Sequence, residues 1–376
     1  MIDRIILFPY SLTLAARNAM YNSGMLKSVS AEVPTICIGN ITAGGTGKTP
    51  HTEMVLRMLA ASDEWKDRNV AVLSRGYKRR SKGFQKVTAG GTADMFGDEP
   101  LQIAKKFPSV TVAVDRDRIE GCDFLCHPDR LATSRKARKC LDKDVPKADI
   151  IVLDDAFQYR KLKASLNILL VDFNRPVSKD KLLPIGRLRD LPSRVHDADI
   201  IIVTKCPLQL DEWEKGKWAQ RLGIYDYSTS SCKGHDRSGK EQTLLFSCLE
   251  HKPMLPVFPE GDMRYTYSKR LILFTGIADD RPLRNYLSGD YKIISHFNFA
   301  DHHRYSSGDM ASVNRAAKEW QTAVVATTEK DAQRVADAKK VPEFLKERMF
   351  QVPVEVSFLS LTEEEVFRTT MLSFLK

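Results

Sequence analysis

The sequence predicts an α/β fold: a parallel-sheet core, a short β connection and a smaller C-terminal α/β lobe. Three observations carry this. Short apolar runs alternate with helical stretches, the pattern of parallel strands joined by crossover helices. One apolar run passes into a Gly-rich turn and then opens a helix at Lys48. After about residue 226 the composition becomes polar and turn-rich, and a second strand–helix alternation follows.

In chain order, residues 5–16 read IILFPYSLTLAA and carry no charge. A spanning helix needs about 20 apolar residues, so this run is too short. Apolar character continues through Ala19, Met20, Tyr21, Met25 and Leu26, while Arg17 and Lys27 supply positive charge. That pattern predicts a membrane-associated helix over residues 1–28, lying in the interface plane. A helix docked on the protein's own core explains the same residues equally well. Arg4 ahead of the run also fits a cleaved signal peptide. The nucleotide loop that follows opposes this, because it needs cytosolic ATP.

The core is expected over residues 29–240. Strands are predicted at 34–39, 70–74, 110–114, 149–153, 166–171 and 199–203, several of them apolar throughout. Such strands have both faces covered by helices. Helices are predicted at 48–60 and 99–106 and near 117–126 and 211–222. Residues 227–240 read as a loop, and 241–267 as extended, proline-containing connection. The lobe is expected over 268–376, with strands at 271–275, 291–296 and 323–326 and helices after Pro282 and near 309–320.

The formal net charge of +10 points to an anionic partner: nucleic acid, acidic headgroups or phosphorylated substrates. No nucleic-acid module is visible, and aromatics do not interleave the basic clusters. The seven cysteines are odd in number and irregular in spacing, which reads as a reducing compartment. Cys122 and Cys126 precede His127, but no second ligand pair with zinc spacing follows, so the segment reads as helix.

The strongest local signal is PTICIGNITAGGTGKTP, residues 34–50. It has the strand–loop–helix context of a P-loop. Thr42, Ala43, Gly44, Gly45, Thr46, Gly47, Lys48 and Thr49 form the candidate phosphate cradle. Residues without Cβ let the backbone curl and aim its N–H groups inward, and the helix N-terminus adds positive potential. Lys48 is placed to reach the β- and γ-phosphates of ATP, and the Thr49 hydroxyl to bind Mg²⁺. Thr42 stands where the general motif has its first Gly.

A P-loop also needs a metal-orienting carboxylate at a nearby strand end. DIIVLDD, residues 149–155, offers Asp154 and Asp155, with Gln158 shortly after. Two adjacent buried carboxylates repel unless a cation joins them. TKCP, 204–207, follows a strand where a guanine-reading motif would sit, yet no Asp follows Lys205 at the required spacing, which favours ATP over GTP.

Together these motifs form a series that resembles the tetraacyldisaccharide 4′-kinase (lipid A 4′-kinase) family. The matching segments are 33–50, LSRGYKRRSKG (73–83), GDEPLQIAKKFP (97–108), VAVDRDR (112–118), IIVLDDAFQYRKL (150–162), LLPIGRLRDL (182–191), ADIIIVTKCP (198–207), FTGIADDRPL (274–283), FADHHRY (299–305) and TTEKDAQR (327–334). The resemblance implies a P-loop NTPase-like core, ATP and Mg²⁺ as cofactors, and γ-phosphoryl transfer to the 4′-hydroxyl of tetraacyldisaccharide 1-phosphate, giving lipid IV-A. It implies a peripheral or monotopic enzyme at the cytoplasmic face of a bacterial inner membrane, with that anionic surface and the lipid A disaccharide 1-phosphate as partners and no obligate protein partner. By the same resemblance Asp98 accepts the proton of the hydroxyl and His302 pairs with it. Arg75 lies near nucleotide and substrate, and Arg189 and Asp190 contact the disaccharide. The family's commoner acid at that last position is Glu, one methylene longer. Two other readings use the same P-loop: an ATPase switch, which would need a partner interface, and a soluble nucleotide kinase, which would need no apolar N-terminal segment.

Overall fold

The computed structural model describes residues 2–338 and 340–375, and side chains from Leu7 onward. The apolar runs become strands with every position buried at Thr35–Gly39, Val70–Ser74, Ile150–Asp154 and Ile200–Thr204. They join a parallel array in the order Thr111–Val114, Val70–Ser74, Ile150–Asp154, Thr35–Gly39, Leu166–Asp172, Ile200–Thr204, Glu241–His251. Successive side chains alternate faces. Ile36 and Ile38 therefore enter one apolar layer with Leu56, Leu59 and Phe367, and Cys37 enters the other with Leu153, Trp218 and Phe246. Thr35–Gly39 lies between Ile150–Asp154 and Leu166–Asp172, where the strand order reverses. Ligands of open α/β sheets bind at the carboxyl ends around such a switch point.

A second sheet forms the C-terminal lobe. Met349–Val352, Val324–Thr328, Arg270–Thr275 and Lys292–Asn298 run parallel, and Leu255–Pro256 adds an antiparallel edge. The α/β class and the two unequal units follow the sequence expectation.

The sequence boundaries at 240/241 and 268/376 need correction. Glu241–His251 is one long strand. Its first half, Thr243–Phe246, pairs with Ile200–Val203 inside the core, because Leu244, Leu245 and Phe246 are buried on both sheet faces. Its second half, Ser247–His251, pairs antiparallel with Val354–Phe358. The helix Leu361–Ser373 then returns to the core, seating Phe367 and Met371 in the same apolar layer as Leu56. The lobe is thus an insertion, roughly residues 252–352, between two paired strands.

The N-terminal helix Ile2–Asn22 docks by one face. Leu7 and Leu14 pack on the core, the Asn18 amide donates to Asp190 at 3.0 Å, and Arg160 donates to Asn18 Oδ1 at 3.2 Å and to Asn22 Oδ1 at 2.6 Å. Phe8 and Leu12, one turn apart, are exposed, as is Met25 beyond the helix end. The docked reading therefore applies to the face carrying Leu14 and Asn18, while Phe8 and Leu12 point outward. Among the described residues no helix is long and apolar enough to cross a membrane.

Core and lobe meet through the helices Asp98–Lys106 and Glu329–Ala336. Lys330 pairs with Glu99, Lys105 donates to Gln333 at 2.8 Å, and Lys106 bridges Glu329 at 2.9 Å and Glu53 of the phosphate-loop helix at 2.7 Å.

Phe367→Ala is expected to cost about 3–5 kcal/mol in urea unfolding, the usual loss for a buried aromatic. A loss below about 1 kcal/mol would mean that the helix Leu361–Ser373 is not part of the core.

Candidate active site

The phosphate loop leaves the buried strand Thr35–Gly39 and ends at Gly47, whose φ of 84° caps the helix Lys48–Ala61. That left-handed turn strains any residue with a Cβ. Gly44 also has positive φ, at 120°. Thr42 does not need to be Gly, because it forms an antiparallel bridge with Leu188 in extended backbone. The segment 182–191 thus runs along the loop, with Ala43 N–H donating to the Arg187 carbonyl at 2.6 Å and Arg189 N–H to Ile41 at 2.8 Å. From beneath, Asn40 Nδ2 donates to Thr46 Oγ1 at 2.7 Å and Thr204 Oγ1 to the Thr46 carbonyl at 3.0 Å. Lys48 and Thr49 open the helix, so their N–H groups have no preceding turn to bond and are free for a phosphate.

Asp154 ends its strand fully buried, accepting from Ser74 Oγ at 3.1 Å and Thr52 Oγ1 at 3.4 Å. Burial first, then the fields of Glu99 and Asp155, push its carboxyl up to about 6 against the pull of Lys48 and Ser74. Asp155 stands in the left-handed region at φ 50°. Burial would raise its carboxyl too, but Lys48, Arg189 and Arg118 hold it below the usual range. Lys48 Nζ lies 3.6 Å from Asp155 Oδ1, and Arg189 Nη1 lies 3.5 Å from Oδ2. The structure therefore gathers Lys48, Thr49, Asp154, Asp155 and Arg189 at one strand end. A hydroxyl near one carboxylate that is held ionised and another whose charge burial and its neighbours disfavour is a donor set suited to Mg²⁺, which binds few protein ligands and keeps phosphate and water oxygens. Gln158 lies next to them, but its amide donates to the Asn40 carbonyl at 3.3 Å.

Asp98 begins the helix Asp98–Lys106 after Gly97. A Cβ on Gly76 would lie 3.0 Å from the Phe96 carbonyl, so the loop after Val70–Ser74 packs backbone to backbone on the turn that carries Asp98. This brings exposed Tyr77 within 5.6 Å of His302, ring to ring, and places Arg75 directly after Ser74, whose hydroxyl bonds Asp154. His302 Nδ1 is 3.4 Å from Asp98 Oδ2. Burial opposes ionisation of Asp98, but hydrogen bonding from His302, then Lys330 and Arg334, holds the carboxyl far below the usual range.

Asp190 departs from its expected place against the disaccharide. It is buried beneath the N-terminal helix, where Oδ1 accepts from Asn18 and from Leu191 N–H at 2.8 Å and Oδ2 pairs with Arg194 at 3.2 Å. Both oxygens are used, so it anchors the helix and fixes its neighbour Arg189.

Three site residues escaped sequence reasoning. Arg187 runs beside Gly44, its Nη1 3.5 Å from where a Cβ would stand. Arg334 bonds Asp98; in the sequence it closes the segment TTEKDAQR and stands three residues after Asp331 on a helix face. His51 lies under the loop with Nδ1 2.7 Å from the Gly47 carbonyl and Nε2 3.1 Å from Ser247 Oγ. The carbonyl fixes Nδ1 as donor, so Nε2 accepts from the serine and the ring is neutral. Burial lowers its pKa to about 4, against the opposing Gly47 bond.

Comparison with known proteins gives one consistent result. The family model described as tetraacyldisaccharide-1-P 4′-kinase matches residues 4–376. A tetraacyldisaccharide 4′-kinase of Phocaeicola vulgatus is 35% identical over 98% of this chain and 93% of its own length. Its namesake in Flavobacterium johnsoniae is 33% identical, over 99% of this chain and 97% of its own. A crystal structure of "apo" form LpxK from Aquifex aeolicus in complex with ATP superposes with a TM-score of 0.68 at 25% identity, covering 100% of both chains.

His51 gives the site a pH signature. The unfolded chain binds a proton near the ordinary 6.5 and the folded chain only near 4, so stability is lost as pH falls through that window. His51→Gln is expected to flatten the loss, which amounts to about 3 kcal/mol in full. Identical pH–stability curves for the two proteins would contradict the neutral buried ring.

Proposed function

The chain belongs to the tetraacyldisaccharide-1-P 4′-kinase family, and we propose that it acts in lipid A synthesis, using the residues gathered at its phosphate loop to move the γ-phosphate of ATP onto the 4′-hydroxyl of tetraacyldisaccharide 1-phosphate. The observation that carries the site assignment is the shared field of its two halves. Ser74 bonds Asp154, the loop after Ser74 packs on the turn carrying Asp98, and the charge of Glu99 helps raise the Asp154 carboxyl, which supports placing the base and the metal-orienting carboxylates in one cleft.

In this reading the loop amides and Lys48 hold the β- and γ-phosphates. Thr49, Asp154 and Asp155, with Gln158 in reach of the same turn, hold Mg²⁺, which when bound neutralises charge on the phosphate oxygens. Arg189 and Arg187 add positive charge on the side facing 182–191, and Arg75 does so beside Asp154. The 4′-oxygen forms its bond to the γ-phosphorus as the bond to the β–γ bridging oxygen breaks, and ADP leaves. The hydroxyl proton passes to the Asp98 carboxylate, with His302 beside it. Asp98 is a weak base, held far below the usual carboxylate range. That suits a loose transition state in which the attacking oxygen loses its proton late.

The lipid substrate and the outward Phe8 and Leu12 support a peripheral position at the cytoplasmic face of the inner membrane, the helix lying in the interface with its docked face on the core.

Purified protein with ATP, Mg²⁺ and tetraacyldisaccharide 1-phosphate is expected to yield lipid heavier by one phosphoryl group in mass spectrometry. Asp98→Ala should lower turnover by about 10²–10⁴-fold with ATP binding retained. Wild-type turnover in that variant would remove Asp98 from the base role. Replacing both Phe8 and Leu12 by Asp should abolish co-flotation with anionic vesicles. Undiminished flotation would sink the interfacial assignment.

A further inference from the structure

We propose that Arg334 is a positioning residue for phosphoryl transfer: its guanidinium, anchored in the C-terminal lobe, holds the Asp98 carboxylate of the core and the His302 imidazole in a fixed relation. The inference rests on the reading of Asp98 as the proton acceptor.

Each nitrogen of this guanidinium has a partner. Nε donates to Asp98 Oδ2 at 3.1 Å and Nη2 to the same oxygen. Nη2 also reaches His302 Nδ1 at 3.1 Å. Nη1 donates to the Gly276 carbonyl at 3.0 Å and to Asp331 Oδ1 at 2.9 Å. Asp331 is itself fixed, accepting from Gly276 N–H at 2.9 Å and Thr328 Oγ1 at 2.7 Å. The Gly276 carbonyl in turn accepts the His302 N–H at 3.1 Å. The guanidinium is therefore seated before any ligand arrives.

Two chemical consequences follow. The anchored guanidinium fixes the place of His302 Nδ1, which stands 3.1 Å from Arg334 Nη2 and 3.4 Å from Asp98 Oδ2. Arg334 thereby sets the distance between the imidazole and the carboxylate. A carboxylate offers about four acceptor sites. Arg334 takes two on Asp98 and the Glu99 N–H, at 3.1 Å, takes another. Among the described residues the remaining site, on Oδ1, has no hydrogen bond, and in the proposal it takes the incoming hydroxyl. The other charged groups acting on Asp98 are Lys330 and His302, with Glu99 paired to Lys330 and Asp301 4.0 Å from His302 Nε2.

The test uses the full-length protein with the lipid substrate. Arg334→Gln is expected to lower kcat by about 10–100-fold, the scale of a slight misplacement of reacting groups, with KM for ATP changed by less than about threefold. The acid limb of its kcat–pH profile should move up toward the ordinary carboxylate range. Arg334→Lys keeps the charge and loses the fork, so it should retain the wild-type acid limb with reduced kcat. Added guanidinium ion should restore part of the turnover of Arg334→Ala and none of that of Asp98→Ala. Wild-type kcat and pH profile in Arg334→Gln would overturn the proposal. So would a loss of kcat in all three Arg334 variants in proportion to lowered thermal stability, with an unmoved acid limb and no guanidinium rescue, since a tie that only joins the lobes behaves that way. The two readings fail separately: an active Asp98→Ala removes the base assignment, whereas inactive Asp98→Ala with fully active Arg334→Gln removes only the role of Arg334.

Discussion

The cleft is governed by charge balance in a poorly solvated space. Asp98, Glu99, Asp154 and Asp155 all belong to the site proposed for a polyanionic nucleotide, and two like charges about 4 Å apart cost about 4 kcal/mol even at an effective dielectric near 20. The protein offsets each by a different route. Asp155 lies between Lys48 and Arg189, Asp98 is gripped by Arg334, and Glu99 is paired with Lys330. Asp154 alone has hydroxyl partners, Ser74 and Thr52, and is the one whose carboxyl is driven up. The remaining repulsion at that position is what a divalent cation would relieve.

These cations come from distant parts of the chain. Lys48 belongs to the phosphate-loop helix and Arg189 to the segment bridged to the loop at Thr42. Lys330 and Arg334 come from the lobe. The lobe is therefore an electrostatic component of the proposed site. Its attachment to the core is correspondingly polar, through Lys105, Lys106 and Lys330, and Lys106 continues that attachment to Glu53 behind the phosphate loop. Lobe position and loop environment are thus linked through one ammonium group.

The parts of this arrangement legible in the sequence are those that local order fixes. A strand that becomes a Gly-rich turn, a carboxylate pair closing another strand and a Gly-Asp-Glu-Pro helix start can each be read within a few residues. Placing them at one sheet edge follows from parallel topology. Asp98 and Arg334 are 236 positions apart, so their contact exists only in the tertiary fold. His51 carries no local signal in the sequence, because its partner Ser247 lies on a distant strand inside the segment expected as connection. Asp190 was misplaced for a similar reason. Its sequence neighbours suggest a cleft, while Asn18 and Arg194 draw the side chain under the N-terminal helix. Mixed polarity and the prolines that follow at 253, 256 and 259 merged the long strand Glu241–His251 into the connection, although its Leu-Leu-Phe centre carried the signal of a doubly covered strand.

The pairing of Ser247–His251 with Val354–Phe358 has a consequence for biosynthesis. The two partners are separated by about a hundred residues of inserted lobe. During translation the apolar layer around Leu56 stays unsealed until the closing strand and the helix carrying Phe367 leave the ribosome, an interval of seconds at ordinary elongation rates of about 5–20 residues per second. Nascent chains therefore carry an open hydrophobic face through that interval, which makes chaperone supply and codon usage in the lobe determinants of yield. A premature stop within the final helix removes part of the core.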